Sequence, residues 1–191
     1  MKTTKRIFIG IDISDEARNL AAAYIRTLRR SFRDIRVGWE RPEKMHLTLN
    51  FLGETAPNAI ESVREIVARA ATGNGPFRLQ IRETGIFPNE KRPRVLWLGV
   101  GGDLEEIRRI KSGLDAGLAE IGFENERRIY APHLTIARLR EPDRSGAIAA
   151  QHLANDFDSP EFMVDSLVVY ESRLDRHGSD YFVLDRFDLK S

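Results

Sequence analysis

The chain has 191 residues, enough for one well-buried core or for two small lobes around a shared cleft. Its composition, 41% hydrophobic and 31% charged, is that of a soluble globular protein, and the lack of cysteine excludes disulfides, thiolate metal sites and cysteine nucleophiles. A net charge of +1 does not by itself demand a nucleic-acid partner, but 24 of the 30 cationic residues are arginines, which suit bidentate phosphate contacts and serve equally in surface ion pairs.

Residues 5–12, KRIFIGID, read as a short apolar strand. The run behind Lys2, Lys5 and Arg6 stops at Asp12, too short for a signal-peptide core or a membrane span, so a cytoplasmic protein with no membrane attachment is expected. Ser14-Asp15-Glu16 supplies an N-cap and an acidic first turn for a helix to about Phe32, with Leu20, Tyr24 and Leu28 as its apolar stripe. The nearby Arg29, Arg30, Arg33 and Arg36 read as a wetted helix end. Val37 and Trp39 alternate in a short strand, and Met45 to Leu52 forms another. Thr55 to Pro57 opens a helix through about Ala70, with proline well placed at the first helical position.

The cluster Thr72-Gly73-Asn74-Gly75-Pro76 is a turn, followed by strands over 77–87 and 94–100. Gly101-Gly102 ends the second of these, and Asp103 with Glu106 resembles a capping box for a helix that Gly122 closes. Gly99 to Asp103 lacks the Gly-Lys-Ser/Thr ending of a phosphate loop and reads as a strand-to-helix turn. A strand over 133–139, a short helix over 146–155 and two strands over 161–173 and 180–189 complete the chain. Adjacent strands without regular βαβ alternation predict an α+β fold with antiparallel sheets.

Two tripeptides stand out, His46-Leu47-Thr48 and His133-Leu134-Thr135, 87 residues apart, one in each half. On a strand, residues i and i+2 share a face, so each His projects with its Thr while Leu47 and Leu49, or Leu134 and Ile136, point behind them. One such tripeptide in a strand is commonplace; two with matching flanks, one per half, suggest two similar lobes facing each other. Across a cleft they would present two imidazoles, able to act as acid and base near neutral pH, and two hydroxyls to hold phosphate oxygens. Neither tripeptide has the adjacent Asp or second His of a hydrolytic metal site, so no metal and no cofactor is expected.

These motifs and their flanks resemble the two-histidine (2H) phosphoesterase superfamily, and within it the RNA 2′,3′-cyclic phosphodiesterases, also called 2′-5′ RNA ligase-like proteins. The resemblance spans nearly the whole chain: residues 6–12, MHLTLNFLGE from Met45 to Glu54, Gly85-Ile86-Phe87-Pro88, Arg94-Val95-Leu96-Trp97, Pro132 to Arg138, and Tyr170-Glu171-Ser172. It implies one bilobal domain over 1–191, with two antiparallel sheets flanking a central cleft, helices outside and pseudo-twofold symmetry. It also implies hydrolysis of RNA or nucleotide 2′,3′-cyclic phosphate ends to 2′-phosphates, with reverse 2′-5′ ligation as the less favoured direction. His133 would be the proton acceptor that activates water, His46 the proton donor to the departing 3′-oxygen, and Thr48 and Thr135 the phosphate ligands. The partner is an RNA end or cyclic nucleotide, and a monomer is expected. The rival readings are a relative for another cyclic phosphodiester, such as ADP-ribose 1″,2″-cyclic phosphate, and a non-catalytic module that holds RNA ends.

Further candidates surround the motifs. Arg138 could reach the phosphate; strict alternation places it opposite His133, and a bulge near the strand end would reverse that. Asn50, two residues beyond Thr48, shares its face and would line the cleft. Phe87 could stack on the terminal base or sit in the core. Lys91, Arg92 and Arg94 form the loop best placed to touch upstream phosphates. His152 and His177 lack a motif partner and are not expected to take part.

Overall fold

The computed structural model describes residues 4–124, 129–175 and 178–190; His177 lies outside the described residues. Nine strands and four α-helices are present among them. A four-stranded antiparallel sheet has the order β3-β1-β8-β9, from β1 (Lys5–Asp12), β3 (His46–Thr55), β8 (Ser166–Asp175) and β9 (Gly178–Asp188). A five-stranded antiparallel sheet has the order β2-β6-β5-β4-β7, from β2 (Val37–Trp39), β4 (Phe77–Phe87), β5 (Val95–Gly102), β6 (His133–Leu139) and β7 (Phe162–Val164). The α+β class and the paired antiparallel sheets expected from the sequence are both present. The sheets approach each other where β3 and β6 meet, and one continuous apolar core runs behind both strands. No described helix is long and apolar enough to cross a membrane.

The helices are α1 (Asp15–Ser31), α2 (Pro57–Thr72), α3 (Leu104–Glu120) and α4 (Gly146–Leu153). Ser14 caps α1 as expected, its Oγ accepting the Ala17 N–H at 3.1 Å, and Pro57 occupies the first turn of α2. The buried stripe of α1 differs from the expected one. Leu28 is buried and Tyr24 packs half-buried against the core as expected, but Leu20 is 39% exposed, and Ala17, Ala21 and Ile25 face the core in its place. Small alanines let the helix lie close to the sheet, and close approach outweighs the larger side chain one position away. Between α2 and α3, Gly117 serves the same end, because a Cβ there would stand 2.8 Å from Ile66 Cγ2.

Two other expectations need correction. Asp103 does not cap α3: its backbone is not in the extended conformation of an N-cap, and its carboxylate accepts the Arg78 N–H at 2.9 Å. That donor lies just past Leu79↔Gly102, the last pair of the β4–β5 ladder, and would otherwise lack a partner there. Glu106 pairs with Arg109 rather than reaching back. The expected single strand over 161–173 is two strands. Phe162–Val164 joins β4 in one sheet, Asp165 makes the crossing, and Ser166 onward pairs with β9 and then β1 in the other. No glycine or proline marks the crossing in the sequence.

His152 ties α4 to the five-stranded sheet. It is 0% exposed, with Nδ1 accepting from the Tyr24 hydroxyl at 2.8 Å and Nε2–H shared between the Gly85 and Trp97 carbonyls at 3.1 Å each. Burial lowers its pKa below the ordinary 6.5, against the opposing pull of the two carbonyls. Below that ordinary value the unfolded chain binds a proton that the native chain does not, so stability is full above pH 6.5 and declines as the pH falls toward the lowered native value. Urea unfolding at about pH 7.5 and about pH 5.5 is expected to show this loss in the parent protein and a smaller one in His152→Gln.

Candidate active site

β3 and β6 each expose one His and one Thr to a cleft of about 390 Å³ between the sheets, with His46, Thr48, His133 and Thr135 all in its lining. What aims them is the burial of the alternate residues. Leu47, Leu49, Leu134 and Ile136 are 0%, 3%, 0% and 0% exposed, and turning either strand over would bring two such side chains into water, at about 1.5–3 kcal/mol each.

The two imidazoles are held alike. His46 Nδ1 lies 2.7 Å from the Lys44 carbonyl, and His133 Nδ1 lies 2.8 Å from the Ala131 carbonyl, in each case two residues earlier in the chain. A carbonyl can only accept, so Nδ1 carries the proton and Nε2 of the neutral ring is left as the acceptor. His46 Nε2 meets Thr48 Oγ1 at 2.9 Å. Around His46 the ring of Phe8 stacks at 4.7 Å and that of Tyr181 stands edge-on at 5.2 Å. Burial among these rings lowers the His46 pKa below 6.5, partly offset by the Lys44 carbonyl and by Asp12. Burial alone would raise the Asp12 pKa, but hydrogen bonds from Tyr170 and Arg186 outweigh it and hold the carboxyl below its ordinary value. Beside the second histidine, Phe87 stands edge-on to His133 at 5.0 Å.

Both motif strands carry a bulge just after the threonine. On β6, Leu96 pairs with Ala137 but Trp97 with Thr135, so Ile136 is an extra residue; on β3, Ile9 pairs with Asn50 but Gly10 with Thr48, so Leu49 is extra. Each extra residue reverses the alternation beyond it. Arg138 therefore shares the cleft with His133, and Phe51, at the matching position after His46, shares it with Thr48. The same reversal removes Asn50 from the cleft, a correction to the expectation from strict alternation. Its Nδ2 donates to Asp115 on α3 at 2.6 Å.

The remaining candidates fall outside the cleft lining. Phe87 supports the His133 ring instead of presenting an open stacking face. Lys91 and Arg92 are exposed on a turn closed by Asn89 Oδ1, which accepts both of their backbone N–H groups, and Arg94 is exposed where its N–H closes the hairpin on the Phe87 carbonyl. None of the three is among the residues that line the cleft.

Several cleft residues were not foreseen. Phe51 is 50% exposed, with the Arg6 guanidinium 4.9 Å from its ring centre. The signal for it was present: Phe51 follows His46 by five residues, as Arg138 follows His133. Glu40, Lys44 and Tyr181 come from segments without a motif, and only the fold brings them to the cleft. Among the described residues, no group of three His, Cys, Asp or Glu side chains converges as a metal site would require. The cleft thus offers two oriented imidazoles, two hydroxyls and a guanidinium, a set suited to holding a small anion while moving protons.

The sequence model of a family described as LigT like phosphoesterase matches residues 11–97 and 101–181, one motif falling in each stretch. A protein of Thermotoga maritima named RNA 2′,3′-cyclic phosphodiesterase is 34% identical over 182 residues, 94% of this chain and 92% of its own length. One of Thermus thermophilus with the same name is 33% identical over 193 residues, 97% of this chain and 90% of its own. The crystal structure of a Thermus thermophilus protein superposes with a TM-score of 0.83 at 28% identity, covering 97% of this chain and 98% of that one. In an NMR titration, His46 is expected to ionise below pH 6.5 in the empty cleft and at higher pH once inorganic phosphate is added, since a bound anion favours the imidazolium.

Proposed function

The chain belongs to the LigT like phosphoesterase family, and from that membership and the cleft geometry we propose that it opens RNA 2′,3′-cyclic phosphate ends to 2′-phosphates by two-histidine acid–base catalysis. The observation that carries the reading is the matched locking of Nδ1 in both histidines, which turns two Nε2 atoms toward one cleft.

In this mechanism the non-bridging phosphate oxygens accept from the Thr48 and Thr135 hydroxyls and from Arg138. His133 Nε2 removes a proton from water as its oxygen attacks phosphorus. The bond from phosphorus to the 3′-oxygen breaks, and His46 Nε2–H supplies the proton that this oxygen needs. The product carries a 2′-phosphate and a free 3′-hydroxyl, leaving His133 protonated and His46 neutral, and proton exchange with solvent in the cleft restores both for the next turnover. His46 is neutral in the empty cleft, because burial disfavours its imidazolium. The arriving anion reverses that preference and draws the Thr48 hydroxyl from Nε2 onto the phosphate. Phe51 provides a half-exposed ring on which the terminal base stacks.

Replacing His46 or His133 by Ala is expected to lower turnover of a 2′,3′-cyclic mononucleotide by about 10²–10⁴-fold each, with full parental activity in excess chelator. Wild-type activity in either variant would overturn the mechanism. As pH rises, kcat/KM, which reports the free enzyme, falls along a limb placed below pH 6.5, while the corresponding limb of kcat lies higher because the bound anion favours the imidazolium. Phe51→Ala is expected to raise KM roughly tenfold with little change in kcat, whereas Asn50→Ala leaves KM unchanged.

A further inference from the structure

The arginines of this chain fall into two groups. On α2, α3 and the four-stranded sheet many are neutralised: Arg64 by Glu61 and Asp185, Arg108 by Glu105, Arg109 by Glu106, and Arg186 by Asp12. Arg18 in the first turns of α1 still pairs with Asp15, but in the C-terminal half of α1 and the turn after it this pattern stops. Arg26, Arg29 and Arg30 are exposed near the end of α1, and exposed Arg33 and Arg36 follow beyond its C-cap Phe32. Among the described residues none of these five guanidinium groups forms an ion pair, and Glu141, which accepts the Arg36 backbone N–H, spends its charge on Arg144.

A solvated helix end would need nothing more, yet these arginines border a recess of about 660 Å³ floored by half-buried Phe32, Ile35, Val37 and Trp39. Unpaired guanidinium groups beside aromatic rings form the surface on which single-stranded nucleic acid is held, phosphates on the cations and bases on the rings. The recess also leads somewhere. Trp39 is shared with a second groove, which continues along Arg140 and Arg138, without ion pairs among the described residues, and along Arg41 and Lys44, which share Asp180; Arg138 and Lys44 also line the cleft of the two histidines. Pairing of β2 with β6, Gly38 to Arg138 and Trp39 to Ala137, sets this neighbourhood.

We propose that this path, from Arg138 past Trp39 to the arginines from Arg26 through Arg36, holds the RNA body upstream of the terminal nucleotide, so that the substrate is a single-stranded RNA end rather than a free cyclic nucleotide. The direction of the strand rests on the cyclic-phosphate reading of the cleft.

The double variant Arg29→Ala/Arg33→Ala changes two exposed side chains remote from the histidines. With an RNA of about 12 nucleotides ending in a 2′,3′-cyclic phosphate, kcat/KM is expected to fall about tenfold. Its log–log dependence on salt should become shallower by about 1.4, while a 2′,3′-cyclic mononucleotide is turned over as by the parent. Unchanged kinetics on the RNA, or equal losses on both substrates, would overturn the proposal. If the parent protein opens neither substrate, the catalytic reading has failed by itself, and fluorescence anisotropy with the same RNA ending in a 3′-hydroxyl decides the groove. Binding weakened about tenfold in the variant supports it, and equal binding, as expected of a surface built for an acidic protein instead, overturns it.

Discussion

An imidazole can pass a proton at a chosen point only if its other nitrogen is occupied, and this molecule meets that condition twice with the same device. The carbonyl two residues before each motif histidine takes the Nδ1 proton, so each Nε2 is fixed in direction, that of His46 meeting the Thr48 hydroxyl. The device is local, since the accepting carbonyl belongs to the short segment that enters each strand, in the first case the end of a 3-10 turn over Pro42–Lys44. What it requires from the rest of the fold is that the strand not roll. Leu47 and Leu49 on one side and Leu134 and Ile136 on the other supply that, buried in a core that both sheets share. Rotation of either motif would expose several kcal/mol of apolar surface.

The two halves repeat this plan without being chemically equal. His46 is enclosed by Phe8 and Tyr181, and burial disfavours its charge. His133 has aromatic support from Phe87 on one edge and lies nearer to solvent. The position brought in by each bulge differs as well: an exposed phenyl ring in one half, a guanidinium in the other. The bulge is thus a common scaffold element, and the residue it presents is where the halves diverge. One side of the cleft becomes suited to a flat apolar group and the other to an anion.

Arginine distribution extends this asymmetry beyond the cleft. Cationic and acidic residues are almost equal in number, and on α2, α3 and the four-stranded sheet several guanidinium groups pair with carboxylates. From Arg26 on α1 through Arg36 in the turn before β2, the arginines form no ion pair among the described residues and stand beside aromatic rings. A small net charge therefore conceals a strongly basic patch, and composition alone could not separate the two arrangements.

Much of the plan is legible in the chain itself. Alternation around the two His-x-Thr tripeptides, Ser14 as a helix cap, Pro57 at a first turn and the lack of βαβ order are all local properties, set by side-chain period and backbone chemistry within a few residues. They determined the strands, the α+β class and the pairing of each His with its Thr. The tertiary structure decided whatever depends on a partner strand. A bulge exists only relative to the strand it faces, so the exchange of Asn50 for Phe51 and the turning of Arg138 into the cleft could not be read from β3 or β6 alone. Asp165 crosses between sheets with no local breaker, and Asp103 leaves its helix to satisfy an N–H that the sequence does not show to be unpaired. The histidines were written in the sequence because their geometry is local. What surrounds them was not, because it is assembled from strands distant in the chain.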